Sequence, residues 1–205
     1  MRIATVAFSG LVAWALTTSS GQAAERLKLG EKAPMTNVKM KNVDGKEVSI
    51  ADAVGKNGTL VIFSCNHCPF AKAWEGRIAE IGNAYMDKGV GVIVINSNDP
   101  AVQPPDSYDE MQKRAKERSF HFPYVVDATS DVARAFGATR TPECFLFDKG
   151  GKLVYWGAID DNHKDANAVK SHYLRDALDA LLAGKPVSVA ETKAVGCGIK
   201  FHAKA

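Results

Sequence analysis

The chain has 205 residues, 46% of them apolar and 24% charged, with a formal net charge of +3. That composition suits a globular protein with one well-buried core. Lys and Arg are spread along the chain, there is no acidic tail, and no glycine motif that cradles phosphate is present, so nothing points to nucleic acid or nucleotide binding.

The first residues differ from the rest. Met1-Arg2 is a short basic start, residues 3–16 are mostly apolar, and Gly21-Gln22-Ala23-Ala24 closes the segment. This is the three-part pattern of a secretory leader cleaved after Ala23 or Ala24. The run is too short for a ~30 Å hydrocarbon core, which needs about 20 apolar residues. No cysteine near the cleavage point offers a lipid anchor, and no other segment is apolar enough to span a membrane. The expectation is a leader over residues 1–24 and one exported, soluble domain over residues 25–205, periplasmic or otherwise exported, ending in a C-terminal tail.

In chain order, residues 38–50 read as a hairpin around the two-residue turn Asp44-Gly45. Residues 59–63 (TLVIF) form a continuous apolar run, a buried central strand. A helix follows over 70–88, with Trp74, Ile78, Ile81 and Tyr85 as its apolar stripe. Residues 90–95 are a second buried strand, and Ser107 with Glu110 forms a capping box opening a helix to about residue 118. A short strand at 124–126 and a short helix at 131–136 come next. Strands at 143–147 and 153–156 are joined by the turn Asp148-Lys149-Gly150-Gly151. Asp165 is expected to cap a last helix carrying Val169, Tyr173, Leu174, Ala177, Leu178, Leu181 and Leu182 on one face; Gly184 ends it and Pro186 prevents its resumption. The order predicts an α/β fold, a mixed sheet with helices on both faces.

Chemistry concentrates at the end of the first central strand, in Cys65-Asn66-His67-Cys68-Pro69. Free N–H groups at a helix start, the helix dipole and a protonated His67 would each favour a thiolate there. A thiolate is the attacking species in disulfide exchange. Cys68, one turn after Cys65, is placed to resolve a mixed disulfide that Cys65 forms. Pro69 suits the first helical turn. The chain has four cysteines, Cys65, Cys68, Cys144 and Cys197, which allow three full pairings and are too few to build a disulfide scaffold. In an oxidising compartment paired thiols tend to become disulfides.

CNHCPF after a buried strand, TRTPECFLFD, GGKLVYWGAIDDN and the late GCGIK together resemble thioredoxin-like proteins of the peroxiredoxin-like branch, the redoxin or alkyl hydroperoxide reductase–thiol-specific antioxidant type. The resemblance covers about residues 27–201. It implies a thioredoxin-like fold with a cis peptide before Pro142, so that Thr141 and Pro142 wall a substrate groove and the Thr141 backbone is free to pair with an incoming peptide strand. In the peroxiredoxin pattern Pro-x-x-x-Thr/Ser-x-x-Cys, Cys68 takes the peroxidatic position, Cys65 stands in place of the hydroxyl residue and Val61 in place of proline; Arg140 is near the family's arginine but out of register. The peroxide-activating set is therefore incomplete and the dithiol set complete.

The resulting expectation is an enzyme, a thiol–disulfide oxidoreductase: Cys65 attacks, Cys68 resolves, His67 tunes the thiolate and raises the reduction potential towards the oxidising side. No cofactor is required. Its partners are protein or small-molecule thiols and disulfides and an unidentified electron donor or acceptor. A thiol-dependent peroxidase is the first alternative. A copper(I) metallochaperone using Cys65, His67 and Cys68 is the second, weakened because a zinc site needs four ligands and no second pair is evident. A redox-inert binding protein is a further reading. Cys197 is either a third redox thiol on a flexible tail or the partner of Cys144 in a structural bridge, and Cys144 otherwise an inert thiol in an apolar strand. Glu143 is either a proton relay to Cys68 or an ordinary edge carboxylate.

Overall fold

A computed structural model describes residues 25–204; the expected leader lies outside the described residues. The elements run β1 (Met40–Asn42), β2 (Glu47–Val48), β3 (Thr59–Phe63), α1 (Pro69–Asp87), β4 (Gly91–Asn96), α2 (Tyr108–Glu117), β5 (Tyr124–Val126), α3 (Asp131–Phe136), β6 (Arg140–Thr141), β7 (Glu143–Phe147), β8 (Leu153–Gly157), α4 (Tyr173–Leu182) and β9 (Cys197–Gly198). Seven strands form one sheet in the order β2-β1-β5-β4-β3-β7-β8. β3 pairs parallel with β4 and antiparallel with β7, so it is central. The other two strands, β6 and β9, pair with each other.

The apolar run of β3 is buried at all five residues because both faces of the sheet are covered. Side chains alternate along a strand. Leu60 and Ile62 pack with Trp74, Ile78, Ile81 and Tyr85 of α1 and with Met111, Leu174 and Leu178 from α2 and α4. Val61 and Phe63 face the other way, towards Val132 and Phe136 of α3. Phe63, Phe136 and Phe145 meet edge-on, with centroids 5.2, 5.8 and 5.3 Å apart, each pair adding about 0.5–1.5 kcal/mol beyond simple burial. This rigid cluster fixes the strand end that carries the cysteines.

Four local expectations need correction. The first hairpin has a three-residue loop: Asn42 N–H donates to the Lys46 carbonyl (2.8 Å) and Gly45 takes φ of 86°. Ser107 precedes α2 without a side-chain cap, and Glu110 pairs with Lys113 at 2.5 Å instead. Asp165 caps only a single turn over Ala166–Ala168. The next residues are drawn off the helical path, since Lys170 N–H donates to Asp161 (3.0 Å) and Ser171 accepts from Asp161 N–H (3.2 Å); α4 starts at Tyr173. The tail is fixed, not flexible: β9 joins β6, and Ile199 is buried in the α3-side core.

Candidate active site

Both cysteines of the CNHC segment sit where β3 hands over to α1. Cys68 immediately precedes α1 and Pro69 opens it, placing the Cys68 sulfur over amides with no helical partner. The peptide between Thr141 and Pro142 is cis. Thr141 touches both sulfurs: its Oγ1 lies 3.1 Å from Cys65 Sγ, and its carbonyl oxygen lies 3.2 Å from Cys68 Sγ and takes the proton of the thiol form. Cys65 is 4% exposed and Cys68 is wholly buried.

The two thiols are driven apart in acidity. A hydrogen bond from Cys65 and amides of Ala71 and Cys197 hold Cys68 well below the usual thiol value. Cys65 is driven well above it, by donating to Cys68, by burial and by the Asp106 carboxylate nearby. The pair therefore favours a thiolate on Cys68, held first by the Cys65 thiol and then by Cys197 and the Ala71 amide at the helix start.

His67 is tied to a carboxylate. Its Nδ1 lies 2.5 Å from Asp106 Oδ2. Asp106 is 3% exposed and ties down the whole CNHC turn. Its Oδ1 accepts the Asn66 N–H (2.6 Å) and the His67 N–H (3.0 Å), and Oδ2 also accepts from Asn98 Nδ2 (2.8 Å). Asn66 reaches Pro105 and Tyr124 through its amide. Sequence reasoning missed Asp106: it is 39 residues from His67 and directly precedes the expected capping box of Ser107 and Glu110. The run Pro104-Pro105-Asp106, a tight turn ending in an acid, was its only local signal.

Cys65, His67 and Asp106 bring ligand atoms within 4.8 Å of one another. A Cys–His–carboxylate set fits zinc better than copper(I), which prefers sulfur. Both Asp106 oxygens already accept hydrogen bonds from the turn, which accounts for the cluster without an ion.

The remaining candidates separate. Cys197 is the register partner of Thr141, and its N–H points to Cys68 Sγ at 3.4 Å. Cys144 is buried among Ile62-side core residues, away from that group, and burial pushes its thiol far up. Cys144 and Cys197 are thus not bridged. Glu143 is fully buried, with its carboxylate beside Arg26 (3.1 Å) and accepting the Thr139 and Arg140 amides; those contacts lead to no sulfur. Arg140 donates to the Gly196 carbonyl (3.0 Å). The Thr141 backbone, expected to be free for a client strand, is already paired with β9.

The fold and this junction define a thioredoxin-like α/β protein with a dithiol at the first strand–helix corner. Residues 29–156 match the AhpC/TSA family, and the chain belongs to that family. It is 24% identical over 146 residues to a thiol-disulfide oxidoreductase, ResA, of Bacillus cereus, covering 71% of this chain and 79% of the relative. An uncharacterized conserved protein from Geobacillus kaustophilus is similar at 40% identity and a TM-score of 0.81, covering 87% of this chain and 94% of that one. A thioredoxin-like protein solved in its oxidised form shares the fold at 21% identity and a TM-score of 0.63, covering 78% of this chain and 99% of that one.

Proposed function

We propose that this protein is a thiol–disulfide oxidoreductase in which Cys65 and Cys68 cycle between dithiol and disulfide. The observation that carries the reading is the buried sulfur pair at the start of α1, with both sulfurs against Thr141. The resemblance to ResA of Bacillus cereus, named for this activity, agrees with it. One thiolate attacks a client disulfide and releases the first client thiol. The other cysteine displaces the second, closing the Cys65–Cys68 bond. Two electrons and two protons pass to the client, and no cofactor takes part.

The sequence expectation has Cys65 attacking first and Cys68 resolving, and the chemistry above runs with either sulfur beginning. The lowered Cys68 value favours a thiolate there, whereas Cys65, beside the Thr141 hydroxyl, is the sulfur with some exposure. His67 helps fix the turn through Asp106, and its ring also lies close to Cys65. A potential on the oxidising side then rests on the amides around Cys68. The peroxidase reading has less behind it, because Arg140 is engaged with Gly196. Export is proposed from the leader pattern of residues 1–24, and the clients are thiols and disulfides of other proteins or small molecules.

Turnover with a model aromatic disulfide tests the reading. Cys65→Ser and Cys68→Ser should each lose essentially all dithiol-dependent turnover. Full activity in either variant would sink the assignment. Peroxide consumption that is rapid and survives Cys65→Ser would establish the peroxidase instead.

A further inference from the structure

β9 lies antiparallel to β6, with Cys197 opposite Thr141. That is the place where a client strand would run against the groove. The tail is pinned there on several sides. Ile199 N–H donates to the Thr139 carbonyl (3.0 Å), Lys200 N–H to Asn98 Oδ1 (2.7 Å) and His202 N–H to Ser130 Oγ (2.9 Å). Gly196 makes the approach feasible, since a Cβ there would stand 2.1 Å from the Thr141 carbonyl oxygen. Among the three cysteines gathered here, Cys65 and Cys68 are buried and Cys197 alone is partly exposed. A client that leaves β9 in place meets Cys197 first.

We propose that Cys197 is a third redox residue of this site: β9 acts as a built-in client strand, and Cys197 exchanges disulfide with Cys68 to connect the buried pair to solvent. The inference rests on Cys65 and Cys68 being the redox pair.

From the Cys65–Cys68 disulfide, deprotonated Cys197 attacks Cys68 Sγ. The Cys68–Cys197 bond forms, the Cys65–Cys68 bond breaks, and Cys65 leaves with the electron pair beside the Thr141 hydroxyl. It takes up the proton that Cys197 gave up, so no oxidant or reductant is needed. A client thiolate then attacks Cys197. Cys68 leaves as the thiolate, the form that the Ala71 and Cys197 amides favour, and a stabilised thiolate is a good leaving group. A second client thiolate releases the client disulfide and restores Cys197. Two client thiols have lost two electrons and two protons, and Cys65 and Cys68 have gained them. The reverse sequence reduces a client disulfide.

In the reduced site, burial and the neighbouring Cys68 push the Cys197 thiol up to about 11. Once Cys68 is oxidised its contribution to that rise is gone; burial still holds the thiol up, and Lys200 and Arg140 oppose it.

The test uses the full chain with Cys65→Ser, treated with glutathione disulfide. Glutathione taken up at Cys68 or Cys197 should be expelled by the other cysteine, leaving a Cys68–Cys197 bond on peptide mapping. An intramolecular thiol at an effective concentration of order 1 mM should expel it about 100-fold faster than about 10 µM external thiol does in the Cys65→Ser/Cys197→Ser chain. Equal lifetimes of the mixed disulfide in the two chains, or no Cys68–Cys197 bond, would overturn the proposal. Wild-type protein provides a second readout, independent of the serine substitution. Acid-quenched samples from graded glutathione buffers should contain Cys68–Cys197 alongside Cys65–Cys68. Cys197 remaining a free thiol at every poise would also overturn the relay. If wild-type protein turns over a model disulfide through Cys65–Cys68 while these bonds never form, the relay alone falls; if Cys65–Cys68 never turns over, the proposed function falls and takes the relay with it.

Discussion

Replacing Asp106 by alanine removes the acceptor on which the CNHC turn hangs. Four donors lose their partner: the Asn66 and His67 amides, His67 Nδ1 and Asn98 Nδ2. Asn66 and Asn98 are 3% and 2% exposed, so water cannot readily replace the carboxylate at either. A buried donor left unsatisfied costs about 1–3 kcal/mol. His67 is more accessible and recovers part of its loss in water, and neighbouring terms do not add fully. The expected total is about 3–5 kcal/mol, which for a chain of this size lowers Tm by roughly 6–20 °C. Asp106→Asn keeps an acceptor for the two amides and removes the charge, so its loss should be about half as large. It should also lower the Cys65 thiol value, because the carboxylate is one of the causes, after Cys68 and burial, that raise it. Thermal unfolding of reduced wild-type, Asp106→Ala and Asp106→Asn chains reads the first effect, and thiolate absorbance against pH reads the second. A Tm for Asp106→Ala within about 2 °C of wild type would refute the claim that this carboxylate organises the turn.

Other outcomes follow from the same geometry. Gly196→Ala should force β9 away from Thr141, where the added carbon would stand 2.1 Å from the carbonyl oxygen; alkylation of Cys65 and Cys68 in the native protein should then accelerate, and unchanged rates would show that β9 does not cover them. Arg26→Ala removes the partner of buried Glu143 and should cost about 2 kcal/mol, the usual buried-pair loss discounted for the part-exposed arginine. Adding Glu143→Gln should restore most of it in a double-mutant cycle, and additive losses would deny the coupling. For pH, Cys68 is the group whose folded value is lowered, so its contribution to the reduced protein is full above the unfolded thiol value of about 8.5 and lost as pH falls through the folded value. Cys65 and Cys197 are protonated below that range whether folded or not, since their values are raised. The reduced protein should therefore lose more stability than its Cys68→Ser variant between about pH 8 and pH 5 in chemical denaturation; parallel curves would contradict a low Cys68 value.

The framework was legible in the sequence because burial writes a strong pattern. TLVIF could only be a strand covered on both faces, and Trp74, Ile78, Ile81 and Tyr85 fall on one helical stripe that the core receives whole. The strand–helix corner placed Cys65 and Cys68 correctly, since local order alone sets it. What escaped was set by contacts between distant residues with no periodic signature. Asp106 finds the CNHC turn across 39 residues, and β9 is a two-residue strand whose partner lies 56 residues earlier. Polar composition made the tail read as loose, although backbone pairing and buried Ile199 hold it. The last helix started late for the opposite reason: Asp165 and Val169 fit a helical pattern, but the loop holding Asp161 claims the backbone between them and Tyr173.

The most direct measurement is the equilibrium of the Cys65–Cys68 couple against glutathione buffers, with the bond identified by peptide mapping in each sample. The account predicts a reversible two-electron transition, about 30 mV for each tenfold change in the equilibrium constant, abolished as a Cys65–Cys68 bond by serine at either position. A Cys65–Cys68 disulfide that never forms, or that forms and then resists reduction at every poise, would contradict it.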